Sequence, residues 1–509
     1  MNTKVETLSE LVSVFQSSHR GNVALCYGHF NAIHPGHLRY FRKAKDSADK
    51  LLIAVEGDKQ LSELERGINF SESDRAQAVA ALDIVDGVVI MDSGRLEDLV
   101  KIVRPEFLFL GKEFENRRAT RVVDAVELVR ESGGKVVYDS GETHYATSDF
   151  LYGDQSNLEN ERWAQYFTAL ANQKIEFTSV LDGLLDSPSP RILVVGDSIV
   201  DRYVACDPIG MSNEAPVIVV KEIESKDYVG GAGIVSAHVV GLRANCVFVS
   251  VSGADAQAEY LGSQLKEYGV DPRIIPDENR PTTFKIRYMV ESQKLFRVSR
   301  LKEHSIPREI EDQVIEKIVE MGPVIDGIIV CDFVYGMITD RILEVVHEVS
   351  DKYKLSLFGD LQCSSQVGNV TKFKNFSLIC PTEREARIAL GNQDDGVEFI
   401  SNILMEKTQS KNLILKLGAD GFIAYTREES GDIIRKQHFP ALSVSPVDVT
   451  GAGDSLLAAV AVAMTHGMTL MEASALGCCV SALSVQTVGN YPASLESVKK
   501  YFHSKSIEL

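Results

Sequence analysis

The stretch SPVDVTGAGDSLLAAVAVAM, residues 445–464, carries a glycine-rich turn straight into an apolar helix. Small residues at Gly451, Ala452 and Gly453 let backbone amides approach an anion closely, so the turn reads as a phosphate-binding anion hole. Asp454 falls in the first helical turn, where the helix dipole favours its ionised form and where it can accept a hydroxyl proton as a general base. About four hundred residues earlier, CYGHFNAIHPGHLRYF (26–41) has a second signature of the same kind. A strand ends at Gly28, a loop follows through His29 and Phe30, and a helix begins near His37. His34 and His37 at that helix start can follow charge from an α-phosphate onto a leaving pyrophosphate.

Outward from these two stretches, the pattern is strand–helix alternation on both sides of a break. Residues 22–150 run NVALCYG, KLLIAVEG, GVVIM, FLFLG and KVVYD as strands, with helical patterns between them, which predicts a small parallel α/β sheet. Residues 156–188 are helical in pattern and end in a Ser/Pro-rich breaker, so they are expected to connect two domains. From Arg191 a second α/β series runs to the terminus. Strands around 216–222 and 283–301 lack an intervening helix and are expected to form an antiparallel flap. The expected domains are 1–155, a helical connector 156–188, and 189–509.

The chain has 509 residues, a net charge of -19 and eight cysteines without a CxxC pair. The length calls for two or three domains. The acidic balance argues against nucleic-acid or membrane-surface binding, so phosphates must be met by local Lys, Arg and backbone amides. The cysteines are expected as buried free thiols. The N-terminus lacks a signal-peptide pattern and no stretch is long and apolar enough to span a bilayer, which predicts a cytoplasmic protein.

The N-terminal stretch resembles the cytidylyltransferase-like nucleotidyltransferases, whose pattern is GxFDxxHxGH. Asp74-Arg75 before AVAALDIVDGVVIM, Gly111-Lys112-Glu113, and Thr147-Ser148 resemble that family's later segments in order. The resemblance implies a Rossmann-like domain that binds a nucleoside triphosphate through Gly28, His29, Phe30, Lys112, Thr147 and Ser148. Asn31 and Leu110 depart from the family pattern; Lys112 can supply the charge missing at 110, and the choice between ATP and CTP stays open.

The C-terminal stretch resembles the D-T-x-G-A-G-D signature of the ribokinase-like (PfkB) carbohydrate kinases. Gly196-Asp197 and Asp201, the Gly230-Gly231-Ala232-Gly233 turn, Pro381 with Glu385, and Gly418 with Gly421 agree with that family's other positions. The resemblance implies nucleotide contacts at Gly418, Gly421, Gly451, Ala452 and Gly453. It places Asp197, Asp201, Gly230 and Gly231 at the sugar, and gives Glu385 an indirect hold on Mg²⁺. Lys285, Arg287 and Arg297 on the flap are candidates for a sugar phosphate. Ile234, Gln362 and Thr382 replace an Asn, a Lys and an Asn of the family pattern.

GDSIVDRYV, SNEAPVIVVKEIE, VGGAG and RPTTFKIRYMVESQKLFRVSRL further resemble the kinase half of the bifunctional heptose-phosphate kinase/heptose-1-phosphate adenylyltransferases, with the order of the halves reversed. The expectation is therefore a bifunctional enzyme acting on ATP, a second ATP or CTP, Mg²⁺ and a sugar phosphate. Other pairings stay open: a nucleoside kinase with a cofactor adenylyltransferase, or one half degenerated to a ligand sensor. A homodimer through the kinase half is a further expectation.

Overall fold

The computed structural model describes residues 5–7, 22–30, 33, 35–58, 70–91, 95–111, 120–138, 155–212, 214, 217–290, 293–362, 368–428 and 434–508. The chain forms two compact units, one centred on Met1–Asp154 and the other on Gln155–Gly391 and Ser401–Leu509.

The first unit is a six-stranded parallel sheet. Its strands are β1 (Val5–Thr7), β2 (Val23–Gly28), β3 (Lys50–Glu56), β4 (Gly87–Met91), β5 (Phe107–Leu110) and β6 (Lys135–Tyr138), in the order β1-β4-β3-β2-β5-β6. The strand β1 was not expected from the sequence. On β2 the side chains of Val23, Leu25 and Tyr27 enter one core and those of Ala24 and Cys26 the other. Two-sided burial is why the strand is an unbroken apolar run. The order places a topological switch between β2 and β5, and ligands of parallel α/β sheets bind outside the carboxyl ends of strands at such a point. The carboxyl end of β2 is Gly28, and helix α1 (Pro35–Ser47) follows.

The second unit holds a nine-stranded sheet. In chain order its strands are β7 (Arg191–Gly196), β10 (Asn245–Ser252), β11 (Asp271–Pro276), β14 (Gly327–Asp332), β15 (Ser356–Leu361), β16 (Leu378–Ile379), β17 (Asn412–Lys416), β18 (Phe422–Arg427) and β19 (Ile434–Phe439). They lie in the order β11-β10-β7-β14-β15-β16-β17-β18-β19, parallel as far as β17 and antiparallel beyond it. The switch falls between β7 and β14. A four-stranded flap, β13-β12-β8-β9, is built from β8 (Ser198–Met211), β9 (Ile218–Gly231), β12 (Thr283–Val290) and β13 (Gln293–Arg300). Two antiparallel hairpins make up this sheet, but β12 joins β8 in parallel, so the flap is mixed where an antiparallel one was expected.

Helices α2 (Gln155–Gln173) and α3 (Phe177–Asp186) correct the expected connector. They pack as part of the second unit: Trp163, Tyr166, Phe177 and Leu184 are buried in one core with Leu457, Cys479 and Phe502. Trp163 meets Tyr501 ring to ring at 5.4 Å, and Tyr166 donates to the carbonyl of Ala475 at 3.1 Å. An amphipathic pair with aromatic residues on one face has more to gain by covering a core than by spanning solvent. The segment opening the glycine turn, α5 (Ala452–Thr465), lies against α6 (Leu470–Ser484), and α4 (Ala232–Gly241) follows the Gly230-Gly231 turn. All three are apolar around nearly their whole circumference, as interior helices must be. The seven described cysteines are free and buried. Among the described residues no helix is long and apolar enough to cross a membrane.

Candidate functional site

In the second unit, charged side chains gather at the carboxyl ends of the central strands. Asp197 follows β7, Asp332 ends β14, Asp360 lies near the end of β15, and Lys416 ends β17; all four are buried. The Lys416 ammonium donates to both carboxylate oxygens of Asp360, at 2.8 Å each. Lys372 pairs with Asp332. Asp197 accepts from the Phe333 amide at 2.8 Å, and burial together with the nearby Asp332 carboxylate pushes its acid up to about 7.

Above this group sits the turn that opens α5. Gly451 has φ +82 and a Cβ there would lie 2.6 Å from Asn490 Oδ1, so glycine is required twice over. A Cβ on Gly453 would come within 3.2 Å of Lys416 Nζ. The turn therefore sets a buried ammonium against the start of α5, where the helix dipole also favours negative charge, an arrangement suited to an anion. Asp454 is 7% exposed and accepts from Gln362. Burial, then repulsion from Asp360, raises its acid to about 7, against the opposing pull of Lys416, Gln362 and Lys285.

The flap supplies the opposite wall. Asp201 on β8 and Arg287 on β12 form a buried ion pair, and a Cβ on Gly230 would collide with Asp201. That collision explains the glycine at 230. Gly231 has φ +58, and a Cβ there would lie 2.7 Å from the Asp197 carbonyl. Lys285 is buried with its ammonium 5.5 Å from the Phe333 ring and 5.2 Å from the Tyr335 ring. Asp448, ahead of the turn, accepts from Lys294 at 2.8 Å, from the Thr450 amide at 3.0 Å and from Tyr203 of β8. Burial would raise its acid, yet these hydrogen bonds hold it at about 2.

The second unit thus brings together Asp454, Gly451, Ala452, Gly453, Asp197, Asp201, Gly230, Gly231, Lys285 and Arg287. Arg297 lies opposite Arg287 in register but is exposed, on the outer strand β13. Glu385 caps the helix Glu383–Leu390 by accepting from the Thr382 amide at 2.8 Å, and its charge is felt at Asp360 and Lys416. Gly418 and Gly421 form a tight turn just past Lys416, and a Cβ on Gly421 would strike the Phe439 carbonyl. Sequence reasoning missed Asp332, Asp360, Lys294 and Lys416. The DxQ remnant at 360–362 was the available signal for Asp360, whereas single lysines in NLILKLG and KLFRVSRL gave none.

In the first unit, Gly28 ends β2 at the switch point and the Phe30 ring folds back so that a Cβ on Gly28 would lie 2.8 Å from it. Phe30 has φ +51, a left-handed conformation rare for a bulky residue. The His37 ring stands edge to face with Phe30 at 5.2 Å between centroids, which sets His37 at the start of α1 beside that loop. Arg75, buried, donates to the His29 carbonyl at 2.7 Å and to Asp58 at 2.6 Å, tying the loop to the end of the neighbouring strand. His34, Lys112, Thr147 and Ser148 lie outside the described residues.

A model of the pfkB family carbohydrate kinases matches residues 189–497. The chain belongs to that family. A cytidylyltransferase-like model matches residues 25–151, so the nucleotidyltransferase-like half precedes the pfkB half. Among curated relatives, the bifunctional protein HldE of Helicobacter hepaticus is 29% identical over 332 residues, 64% of this chain and 66% of the relative. The HldE protein of Nitratiruptor sp. is 30% identical over 321 residues, 62% of this chain and 65% of the relative. The chain thus spans a little under two thirds of the length of these relatives. Phosphofructokinase-2 from Escherichia coli, solved with substrates and products, matches with a TM-score of 0.52 at 16% identity, over 62% of this chain and 99% of that one. At that identity the likeness establishes the pfkB fold alone.

The Asp201–Arg287 pair has a direct stability consequence, because removing one partner leaves the other charge buried. Asp201→Ala is expected to cost about 3 kcal/mol. The double variant Asp201→Ala/Arg287→Met should recover much of that loss, as read by chemical denaturation followed by circular dichroism. Equal stability of the single variant and the wild type would show that the pair is solvated.

Proposed function

We propose that the protein is a bifunctional enzyme of nucleotide-sugar synthesis, the pfkB unit phosphorylating a hydroxyl of a sugar or sugar phosphate from ATP and the first unit transferring a nucleotidyl group to a sugar 1-phosphate. The observation that carries the kinase reading is the buried Asp454 carboxyl, poised near neutrality in the first turn of α5 and flanked by Lys416 and Lys285. In this reading the substrate hydroxyl gives its proton to Asp454 as its oxygen bonds the γ-phosphorus. The bond from that phosphorus to the bridging oxygen breaks, and ADP leaves. The amides of the Gly451–Asp454 turn take up charge on the transferring group. Lys285 and Arg287 on the flap favour a substrate that already carries a phosphate, as the heptose 7-phosphate-like substrate implied by the sequence resemblance would.

Among the described residues no three His, Cys, Asp or Glu side chains converge as a metal-binding group. Magnesium suits such a site, because it keeps most of its waters and takes one or two carboxylates together with phosphate oxygens. Glu385 would hold it indirectly, as the sequence resemblance implies, since both Asp360 oxygens are engaged by Lys416, and the ion would neutralise triphosphate charge.

In the first unit, a sugar 1-phosphate oxygen attacks the α-phosphorus of ATP or CTP and pyrophosphate departs. His34 and His37 follow the charge onto the leaving group, and Lys112, Thr147 and Ser148 bind the nucleotide. The pfkB unit is further proposed to pair with a second copy through its flap. Met211 and Ile218 face each other across β8 and β9 at 61% and 62% exposed, and Ile209 and Ile223 are further exposed apolar residues of the same two strands. Free monomers seldom leave so much apolar area uncovered.

Asp454→Asn should lower ADP release by at least about 10²-fold while pyrophosphate release persists. In the wild type the rate of ADP release should rise with pH through about 7 and level off above it, because the base acts only when deprotonated. Full ADP release by the variant would remove Asp454 from the mechanism. His34→Ala or His37→Ala should each cut kcat for pyrophosphate release by roughly 10²–10³-fold with little change in substrate binding; unchanged turnover with a lowered thermal midpoint would mean cap and loop roles only. Sedimentation velocity should show a dimer that Met211→Glu/Ile218→Glu converts to monomer, and a wild type that stays monomeric at high concentration would exclude the flap interface.

A further inference from the structure

Position 362 holds Gln where the resembled kinases carry a lysine, two residues beyond Asp360. The fold brings a different lysine to the same group of side chains. Lys416 arrives from β17, separated from position 362 in sequence but joined to it through Asp360, which binds the ammonium with both oxygens at 2.8 Å. Gln362 in turn donates to Asp454. The ammonium also lies against the anion turn, since a Cβ on Gly453 would sit 3.2 Å away. Lys416 is 9% exposed, and a buried ammonium is costly without a partner. Asp360 meets that need, yet an ion pair serving stability alone has no reason to be set beneath the glycines of a phosphate turn.

We propose that Lys416 is the cation of the phosphoryl-transfer site, delivered from β17 in place of a lysine at position 362, and that it positions Asp360 and Asp454 while drawing the charge of the transferring group toward the Gly451–Asp454 turn. This deepens the kinase reading and rests on it. The charge balance of the site agrees. Burial alone would depress the Lys416 ammonium, but Asp360 and Glu385 outweigh it and the net shift is upward, so the side chain stays charged. The groups facing Asp454 are Asp360 from β15, Lys416 from β17, Lys285 from β12 and Cys331 from β14; of the charged ones, the two lysines hold its acid down and Asp360 raises it. Removing Lys416 therefore moves the acid limb of the rate profile to higher pH.

The test compares ADP release across pH for the full-length wild type, Lys416→Met, Lys416→Arg and Lys416→Met/Gln362→Lys, with thermal midpoints measured alongside. Lys416→Met should lose at least about 10²-fold in kcat and shift its acid limb upward. Lys416→Arg, and the double variant that returns a cation from the other side, should each recover at least about tenfold of that loss and bring the limb back. A folded Lys416→Met with wild-type kcat and an unmoved limb overturns the proposal, and so does a folded double variant with no recovery. If Lys416→Met fails to fold, the double variant is read against the wild type: a kcat within about tenfold of it supports the proposal, and a folded double variant with a larger loss overturns it. A wild type releasing no ADP from any sugar or sugar phosphate overturns the kinase reading and this proposal with it. An active wild type beside an equally active Lys416→Met overturns this proposal alone.

Discussion

The second unit is organised by the burial of charge at the carboxyl ends of its central strands. An isolated charge cannot be taken out of water cheaply, so each must be answered by a partner or by a shifted proton equilibrium. Asp332 is answered by Lys372, Asp360 by Lys416 and Asp201 by Arg287. Asp197 and Asp454 have carboxylates for neighbours and respond instead with acids raised to about 7. The glycines follow from the same crowding: Gly230 makes room for Asp201 and Gly453 for Lys416. A carboxyl that hovers between protonation states near pH 7 is the state a general base needs.

Asp448 extends this charge group to the flap. Its two oxygens are shared among Tyr203 from β8, Lys294 from β13 and Thr450 from the turn itself. Tyr203 in turn lies under the Arg287 guanidinium at 5.2 Å. The walls of the cleft and the anion turn are therefore linked through one buried carboxylate. Such linkage holds reacting groups in place before substrate arrives, which lowers the cost of reaching the transition state.

Both glycine-rich signatures were legible in the sequence because each is local: strand end, turn and helix start are contiguous, and the residue types at each step have a physical reason. The α/β alternation was legible for the same cause. Lys416 was not, because a lone lysine closing the apolar run NLILKLG looks like the solvated end of a strand, and only the sheet order brings it to Asp360. Arg287 and Arg297 were indistinguishable as charges on neighbouring strands. Register makes them partners, but β12 lies between two strands and β13 lies at an edge, and that difference buries one and exposes the other. The segment 156–188 read as a connector because its pattern is polar at the start; the cost of leaving Trp163, Tyr166 and Phe177 in water draws it into the core.

A chain with a net charge of -19 must attract phosphates locally, and its cations differ in how free they are to do so. Arg287, Lys294, Lys372 and Lys416 are each held by a carboxylate. Their fields are partly cancelled, and the first three serve mainly to fix geometry, while Lys416 also lies against Gly453 of the anion turn. Lys285 is buried against the faces of Phe333 and Tyr335, whose quadrupoles answer an ammonium only in part. In the proposed kinase reaction a phosphate on the substrate therefore has more to gain at Lys285 than at Arg287, because binding there completes a charge pair where binding at Arg287 must compete with Asp201. The flap strand β12 carries both residues, so the same backbone offers one cation to the ligand and commits the other to holding the wall in place.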